Sequence, residues 1–324
     1  MRGVNIEMRK ILFLFVFCGL SSGYYGDFSY WGNKGYSSTD PDEQIECYTK
    51  ALEKWSYSDG YENKAIAYYS RGLAYYDKGE YDRAIEDYNK AIELNPEYTY
   101  AYNNRGLAYY NKGEYERAKN DFEKAMELDP EDEYPVANMG EIYFQRGEFS
   151  SALEWLNKAL NMKDESDVFN SVFYKKILIY KEQKNKEFID IVLDKAEKYI
   201  KNQIKKYPKK AFNYLDLAEI YCEAEKKIDE AKKLVEEGFK LKKDYYAYYV
   251  SGRVYIASHQ NEKAVKELKK AIELNPSHIW SYYWLGKIYF YRLKDSQNAR
   301  YYYEQGLKIN PNFRLIKKEL GKLK

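Results

Sequence analysis

The side chains with the widest chemical repertoire in this sequence are two histidines, His259 and His278, and three cysteines, Cys18, Cys47 and Cys222. A zinc centre or a histidine-dependent catalytic site needs several such residues at defined spacing. Neither histidine has a cysteine or a carboxylate at the spacing of metal ligands, and both fall where turns between helices are expected. Cys47 and Cys222 are too far apart to indicate a disulfide framework. We therefore expect no metal site and no histidine-dependent catalysis.

Other catalytic signals are weak as well. The sequence contains no G-x-x-x-x-G-K-[ST] phosphate loop. Carboxylate pairs such as Glu131 with Asp132, or Asp121 with Glu123, fall in expected turns and on second helices, where they are ordinary solvated charges. The sequence thus predicts a protein that is not an enzyme and holds no cofactor.

The composition narrows the classes of partner. Charged residues make up 32% and hydrophobic residues 45% of the 324 residues, values typical of a folded, water-soluble protein. Lys and Arg number 53 against 51 Asp and Glu, a net charge of +2. Because phosphate binding needs a clustered positive excess, this balance argues against nucleic acid and against polybasic membrane binding. The 39 tyrosines provide aromatic contact surface or simply reflect AT-rich codons.

The first residues have the pattern of an export signal. Arg9 and Lys10 precede an unbroken apolar run, 11–20, which small residues follow. Ten apolar residues span only about half of a ~30 Å bilayer core, so a transmembrane helix is not expected. Residues 1–22 are therefore predicted to be a signal peptide, with Met8 as an alternative start. Lipidation at Cys18 is the alternative to soluble export, and the expected location is the periplasm or cell envelope, secreted or lipid-anchored.

An internal repeat of 34 residues runs through most of the remaining chain. Gly72, Gly106 and Gly140 are 34 residues apart, as are Gly252 and Gly286. Alanine and proline keep the same step at Ala84, Ala118 and Ala152, and at Pro96 and Pro130. A constant period of this length indicates stacked supersecondary units.

Each repeat is predicted to contain two helices. Tyr68, Gly72 and Tyr75 have the spacing i, i+4, i+7 of one helical face. Gly79 then interrupts the pattern, because glycine readily adopts the left-handed conformation that ends a helix. A second helix follows and ends before Pro96, since proline disfavours helical geometry in the residue before it. Neither helix can bury its apolar face alone, so the units must stack.

The period, the small residues, the paired aromatics and the closing Asn-Pro or Asp-Pro resemble the tetratricopeptide repeat (TPR) family. The resemblance implies an all-α fold, a right-handed superhelical solenoid of antiparallel helix pairs. It covers five clear units: 65–98, 99–132, 133–166, 245–278 and 279–312, the last with one extra residue near Asp295. Residues 211–244 form a near-normal unit. Residues 167–210 form a divergent one that holds ten extra residues and lengthens its second helix, roughly Lys186 to Tyr207.

The predicted organisation has four parts. They are the signal peptide 1–22, an N-terminal segment 23–62, a repeat array 63–312 of about seven units, and a cap helix 313–324. The N-terminal segment is predicted to contain one capping-type helix, from Glu43 to Lys54. The residues before that helix are too rich in Gly and Ser to predict a partner for it.

In the tetratricopeptide repeat family, the first helices of successive units line a concave groove that holds an extended peptide or a partner's helix. Carried over to this sequence, that face lies one step round the first helices from the glycine-bearing face, and aromatic rings there offer contact area at low entropic cost. The predicted groove residues are Tyr69, Tyr76, Tyr100, Asn103, Tyr110, Asn111, Tyr246, Tyr249, Trp280 and Tyr283. The alternative is that these rings pack between repeats.

The sequence therefore predicts an exported, non-catalytic scaffold of the cell envelope that binds a protein segment in an aromatic concave groove. Two alternatives stay open. One is a carbohydrate-binding or enzyme-associated envelope module whose Tyr and Trp rings stack on sugars. The other is a structural spacer with no specific ligand. A glycan array set against a peptide or pull-down screen distinguishes the first two.

Overall fold

The computed structural model describes residues 27–162 and 168–323. Within these two ranges the regular secondary structure is helical and includes no strand. The predicted signal peptide, with Met8 and Cys18, lies outside the described residues. No helix in the described ranges combines the length and the hydropathy that a membrane crossing requires.

The helices form consecutive hairpins. The first helices are α1 (Asp27–Ser37), α3 (Tyr61–Asp77), α5 (Thr99–Asn111), α7 (Glu133–Arg146), α9 (Val168–Glu182), α11 (Ala211–Ala224), α13 (Tyr245–Ala257) and α15 (Ile279–Lys287). The second helices are α2 (Pro41–Lys54), α4 (Tyr81–Leu94), α6 (Tyr115–Leu128), α8 (Phe149–Met162), α10 (Lys186–Lys206), α12 (Ile228–Leu241), α14 (Asn261–Leu274) and α16 (Ser296–Ile309). A short helix, α17 (Arg314–Leu320), follows. The chain divides into an N-terminal unit ending at Pro135 and a C-terminal unit beginning at Val136.

The second helices are amphipathic, and proline sets their ends. In α4 the residues Ala84, Tyr88 and Ala91 recur at helical spacing and are fully buried. The helix ends at Asn95, whose backbone is extended (φ −140°, ψ 94°) because Pro96 follows it. The predicted boundary between repeats is thereby confirmed.

The two helices of a hairpin touch at the repeated glycine, where a large side chain from the second helix lies against the first. A Cβ atom added to Gly106 would lie 2.6 Å from a ring carbon of Phe122 and 3.2 Å from the backbone oxygen of Ala118. Sixteen residues separate this glycine from its partner ring. The equivalent contacts are Gly72 with Tyr88, Gly140 with Leu156, Gly252 with Leu268 and Gly286 with Tyr303. Only glycine allows so close an approach of two helices.

An additional hairpin precedes the predicted array and corrects the sequence analysis. Residues 27–37, which were expected to lack a helix, form α1 and pack against α2. The spacing from Gly32 to Tyr48 is again sixteen residues, and both residues are buried. Gly35 also faces the Tyr48 ring, since a Cβ atom added to it would lie 3.2 Å from that ring. Tertiary packing here outweighs the low helix propensity of glycine.

The divergent unit behaves as the sequence predicted. Its second helix, α10, has 21 residues, whereas α8 and α12 on either side have 14 each. Seven of the ten extra residues therefore lengthen the second helix of this hairpin.

The extra residue of the last unit lies elsewhere than predicted. It was expected near Asp295, but α15 continues into a π-helical turn, Ile288–Arg292. The Leu293 amide donates to the Ile288 carbonyl, five residues back, at 3.0 Å. A π turn absorbs one inserted residue without ending the helix. The contact of Gly286 with Tyr303 is preserved as a result.

From the second hairpin onward, the turn within each hairpin contains a residue in the left-handed region. Gly113 has φ +77°. In later hairpins, lysine or histidine occupies equivalent turns: Lys184 (+56°), His259 (+60°) and Lys294 (+58°). A side chain costs about 1–2 kcal/mol in this conformation, so these turns are strained.

We predict that Gly106→Leu lowers the free energy of unfolding by about 3 kcal/mol, because the added atoms overlap Phe122 and neighbouring backbone. Thermal or urea unfolding measures the change. Asn120→Leu, the same side chain at an exposed position of α6, is the control and changes stability by less than about 0.5 kcal/mol. Equal effects of the two substitutions would contradict the helix contact described above.

We predict that Lys294→Gly raises the free energy of unfolding by about 0.5–1 kcal/mol. Glycine removes the strain of the left-handed conformation, and this gain is partly offset because glycine adds conformational entropy to the unfolded chain. Lys294→Ala is the matched control, since it shortens the side chain but keeps the strain, and it should give no gain. A gain of equal size in both variants would show that the lysine side chain, and not the backbone, is unfavourable.

Candidate functional site: the inner face of the first helices

Within each unit, neighbouring first helices contact one another. In the N-terminal unit α3 contacts α5, and in the C-terminal unit α9 packs against α11 and α11 against α13. We use the term inner face for the surfaces of the first helices that are directed away from the second helices. Arg253 of α13 reaches Tyr174 of α9, with 3.3 Å between guanidinium and hydroxyl. These two helices are not consecutive in the row, so the inner face of this unit is strongly concave.

In the N-terminal unit, tyrosine–asparagine hydrogen bonds join successive first helices. Asn104 donates to the Tyr69 hydroxyl at 2.8 Å, and Asn111 donates to the Tyr76 hydroxyl at 2.7 Å. Both pairs link α3 to α5 with the same offset of 35 residues. Since a hydroxyl buried without a partner would be costly, these bonds help fix the register between the repeats.

Two arginines on the first helices tie three helices together. Arg71 grips Asp87 of α4 with two hydrogen bonds, Nε to Oδ2 at 2.8 Å and Nη2 to Oδ1 at 2.7 Å. Its remaining nitrogen donates to Thr49 of α2 at 3.1 Å. Arg105 repeats the arrangement on Asp121, at 2.9 and 2.7 Å. Bidentate, charge-assisted bonds of this kind are both strong and directional.

The inner face of the C-terminal unit contains a buried charge cluster around Arg253, which is only 2% exposed. Arg253 donates to the Glu223 carboxylate at 2.7 Å and to the Tyr249 hydroxyl at 3.1 Å. Its guanidinium lies 3.8 Å from the centre of the Trp284 ring, a cation–π contact. Lys181 of α9 adds a second cation at 3.0 Å from Glu223.

Tyrosine hydroxyls satisfy the remaining carboxylates of this cluster. The Tyr246 hydroxyl lies 2.6 Å from a Glu219 oxygen and 2.9 Å from an Asp216 oxygen, so its single proton is shared between these two carboxylates. Tyr249 donates to the other oxygen of Glu219 at 2.8 Å. Asn170 donates to the other oxygen of Asp216 at 2.6 Å. Buried carboxylates must be hydrogen-bonded or paired, and these are.

The pKa values of Glu223 and Lys287 are both lowered, for different physical reasons. Burial alone would raise the pKa of Glu223, but the charges of Arg253 and Lys181 outweigh it and lower the pKa to about 2. Burial lowers the pKa of Lys287, although the negative charge of Glu223 opposes this shift. Lys287 lies over the ring of Trp284, 4.5 Å from its centre. Glu223 therefore stays ionised over the ordinary pH range.

The segment after α16 closes over the same inner face. Phe313 is 2% exposed and meets the ring of Trp280 edge to face, with 5.1 Å between centroids. The backbone amide of Arg314 donates to the Gln145 side chain of α7 at 3.2 Å. Lys318 of α17 pairs with Glu182 of α9 at 2.6 Å. The end of the C-terminal unit thus contacts its beginning, across 169 residues of sequence for Arg314 and Gln145.

The predicted groove residues lie on the first helices, and most are buried. The buried ones are Tyr69, Tyr76, Asn103, Tyr110, Tyr246, Tyr249 and Tyr283. Tyr100, Asn111 and Trp280 are half-buried. Trp280 and Tyr283 lie together under Phe313, and Tyr246 and Tyr249 line the Arg253 cluster. The role of these residues in partner binding stays a prediction.

Several residues of this surface were not found from the sequence, notably Arg253, Glu223 and Arg314. The sixteen-residue spacing of Arg71 to Asp87, repeated at Arg105 and Asp121, was a usable signal for the ion pairs. The cluster around Arg253 has no such repeat. The described ranges contain no group of three or more His, Cys, Asp or Glu side chains that could hold a metal ion.

Both cysteines of the described ranges are buried free thiols. Burial raises the pKa of Cys222 to about 12 and also raises the pKa of Cys47. Neither thiol therefore forms a reactive thiolate near neutral pH. They act as small apolar side chains in the core.

We predict that the C-terminal unit loses stability as the pH falls from about 4.5 to about 2. Glu223 has a depressed pKa in the folded state, so its contribution is complete above the unfolded value of 4.5 and is lost on protonation. Glu223→Gln removes the closer of the two carboxylates that pair with Arg253, since Glu219 lies at 3.6 Å, and should cost about 3 kcal/mol at pH 7 while flattening this acid dependence.

Urea unfolding at several pH values measures both effects. The control is Glu273→Gln, which breaks only an exposed pair with Lys270 and should cost less than about 0.5 kcal/mol. Part of the pH dependence of stability will remain in Glu223→Gln, because the pKa of Glu197 is also lowered to about 2. Burial opposes that lowering, and hydrogen bonds from Lys201 and Lys227 outweigh it. An unchanged pH profile in Glu223→Gln would contradict the assigned charge state.

Family models of repeat proteins match this chain at several places. One described as TPR repeat matches residues 72–113 and 252–292. A second model, described as tetratricopeptide repeat, matches residues 99–132. A third, also described as tetratricopeptide repeat, matches residues 136–166 and 281–313. No curated protein sequence matches the chain. The matched ranges include parts of all five units that the sequence predicted as clear.

Solved structures show the same fold. Yeast Tom70 is similar with a TM-score of 0.56 and 18% identity, over 95% of this chain and 65% of that chain. A monomeric mutant of IFIT1 with Gppp-AAAA is similar with a TM-score of 0.56 and 16% identity, over 98% and 75% of the two chains. A tetratricopeptide repeat protein from Parabacteroides merdae has a TM-score of 0.48 and 20% identity, over 76% and 93%. The helix pairs, their period and the matched ranges together show that this chain belongs to the tetratricopeptide repeat family and has an all-α repeat fold of the solenoid class.

Proposed function

We propose that this protein is a non-catalytic scaffold of the cell envelope that binds a protein segment on the inner face of its first helices. One observation carries the proposal: Phe313, Arg314 and Lys318 of the chain itself already contact the first helices α15, α7 and α9, while Ile316 of the same segment packs against Gly306 of α16. Tetratricopeptide repeat proteins generally mediate protein–protein interactions and assembly, which supports the same function. The envelope location rests on the export signal expected in residues 1–22.

The chemistry of the inner face suits recognition of a segment. We use the term seat for the surface that Phe313, Arg314 and Lys318 contact. Trp280 is a half-buried aromatic ring in the seat, against Phe313, and anchors of this type dominate protein interfaces. The Gln145 side chain and the Glu182 carboxylate supply a neutral acceptor and a charged one at the edge of the seat. The acceptors fix the orientation of a bound segment, while the rings supply most of the buried area.

The predicted groove tyrosines of the N-terminal unit can support binding only through their exposed edges. Tyr76 is 8% and Tyr110 is 5% exposed, and Tyr76 accepts a hydrogen bond from Asn111. We predict that the double variant Tyr76→Ala, Tyr110→Ala lowers the melting temperature, with a loss of about 2–5 kcal/mol from truncated packing. Partner retention per folded molecule, measured on the same sample, shows whether these rings also contact a partner.

We predict that Trp280→Ala weakens retention of the partner by roughly thirtyfold, the effect of losing about 2 kcal/mol at an interface anchor. The measurement is a pull-down from a native envelope extract, normalised to the folded fraction. Trp155→Ala removes the same side chain from α8, a second helix, and should leave retention unchanged. If both variants retain the partner like the wild type, the inner face is not the binding surface.

A second candidate function, carbohydrate binding, is favoured by a separate aromatic cluster in the N-terminal unit. Tyr57 is 80% exposed and Tyr61 50% exposed, and the two rings meet edge to face with 5.7 Å between centroids. Trp55 lies 5.3 Å from Tyr61, and its indole N–H donates to the Gly60 carbonyl. Because the turn is held by hydrogen bonds, the exposed rings are displayed rigidly, as stacking on sugar rings requires.

A glycan array tests this candidate with the whole chain as the probe. Binding that disappears in Tyr57→Ala but persists in Trp280→Ala would assign a sugar site to this cluster. An array with no binding would leave the protein scaffold as the function that the structure supports.

A further inference from the structure

We propose that the C-terminal segment Phe313–Leu323 is a displaceable occupant of the inner face, and that the partner is a short basic helical segment of the same chemistry. This inference rests on the proposed function and names the partner class for that site. The segment that fits has an aromatic residue directly followed by arginine, then apolar residues and a lysine within the next turns.

The aromatic position is defined by the seat of Phe313. Its ring lies 5.1 Å from Trp280 and 6.4 Å from Tyr283, centroid to centroid. Trp280 is supported from behind by Tyr174 of α9 at 6.1 Å. Edge-to-face contacts at these distances favour a ring over an aliphatic side chain of similar size.

The arginine position is defined by two rings at the start of the C-terminal unit. The Arg314 guanidinium lies 4.9 Å from the centre of Phe144 and 5.1 Å from that of Phe149. A planar cation is favoured on aromatic faces, and arginine is favoured over lysine in such a place. The backbone amide of the same residue donates to Gln145, which fixes the depth of insertion.

The basic character of the segment is matched by an acidic side chain on the seat. Lys318 pairs with Glu182 at 2.6 Å, and that carboxylate is only a quarter exposed. Between the arginine and this lysine, Leu315 and Ile316 are buried. A partner helix therefore needs one charged edge and one apolar edge, which is the pattern of helix-in-groove recognition.

Two features of the segment oppose its docked state. The Nε and Nη2 atoms of Arg314 are buried and have no hydrogen-bond acceptor. The same two atoms of Arg71 and of Arg105 each grip a carboxylate. A buried donor without an acceptor opposes the docked state. In addition, α17 has seven residues, too few to be stable as a helix away from its seat.

Competition between the tethered C-terminal segment and a free partner segment sets the apparent affinity for the partner. A tethered segment acts at an effective concentration in the millimolar range, so it weakens binding of a free segment even when its own contacts are modest. Releasing the tethered segment should therefore tighten the binding of the same sequence added as a free peptide. The expected change is at least tenfold.

The experiment uses a fluorescent peptide with the sequence of residues 311–323, titrated against three full-length chains and followed by anisotropy. Phe313→Ala, which empties the aromatic seat, should bind the peptide at least tenfold more tightly than the wild type. Lys317→Ala changes an exposed residue of α17 and should match the wild type. A peptide with alanine in place of Phe313 should bind Phe313→Ala at least tenfold more weakly.

A second variant, Lys318→Glu, repels Glu182 at a half-exposed position and covers the case in which Phe313→Ala does not fold. It should also bind the wild-type peptide more tightly than the unmodified chain does. Equal affinities for all chains, or no binding to any, would overturn the inference. If that happens while Trp280→Ala still loses the native partner, the scaffold function stands and only the assigned partner chemistry is wrong.

Discussion

The close contact between the two helices of each hairpin is the constraint on which the rest of the structure depends. Gly106 lets the Phe122 ring lie directly on the backbone of α5, and the same contact recurs in each clear repeat with phenylalanine, tyrosine or leucine as the partner side chain. Because that contact fixes the angle and depth of a hairpin, it determines how α3 meets α5 in the N-terminal unit and how α11 meets α13 in the C-terminal unit. The inner face of each unit depends on these contacts between first helices.

The inner face of the C-terminal unit is polar in a way that packing alone does not require. Arg253, Glu223 and Glu219 are buried together and satisfied by tyrosine hydroxyls and by one another. Such networks contribute little net stability compared with apolar packing, but they allow only one arrangement of the groups involved. A surface held in a single arrangement is preorganised, which favours selective binding of a segment.

The repeat period, the helix ends before Pro96 and Pro130, and the long α10 could be predicted because each follows from local sequence. The first hairpin could not, since Gly32 and Gly35 have low helix propensity and only burial against α2 makes them suitable. The π turn after α15 was missed because it preserves a tertiary contact rather than a local pattern. The burial of most predicted groove rings, and the return of Arg314 to Gln145, depend on contacts between distant residues that no spacing records.

The central claim is that the seat of the C-terminal segment and the binding site for a partner segment are one surface. The most direct test locks that segment in place in the double variant Glu182→Cys, Lys318→Cys, whose two new thiols are joined by a short reducible linker. Cys47 and Cys222 are buried and do not compete for the linker. The labelled peptide of residues 311–323 should not bind the locked chain, and reduction should restore binding. Equal binding before and after reduction would show that the two surfaces are different and would contradict the account.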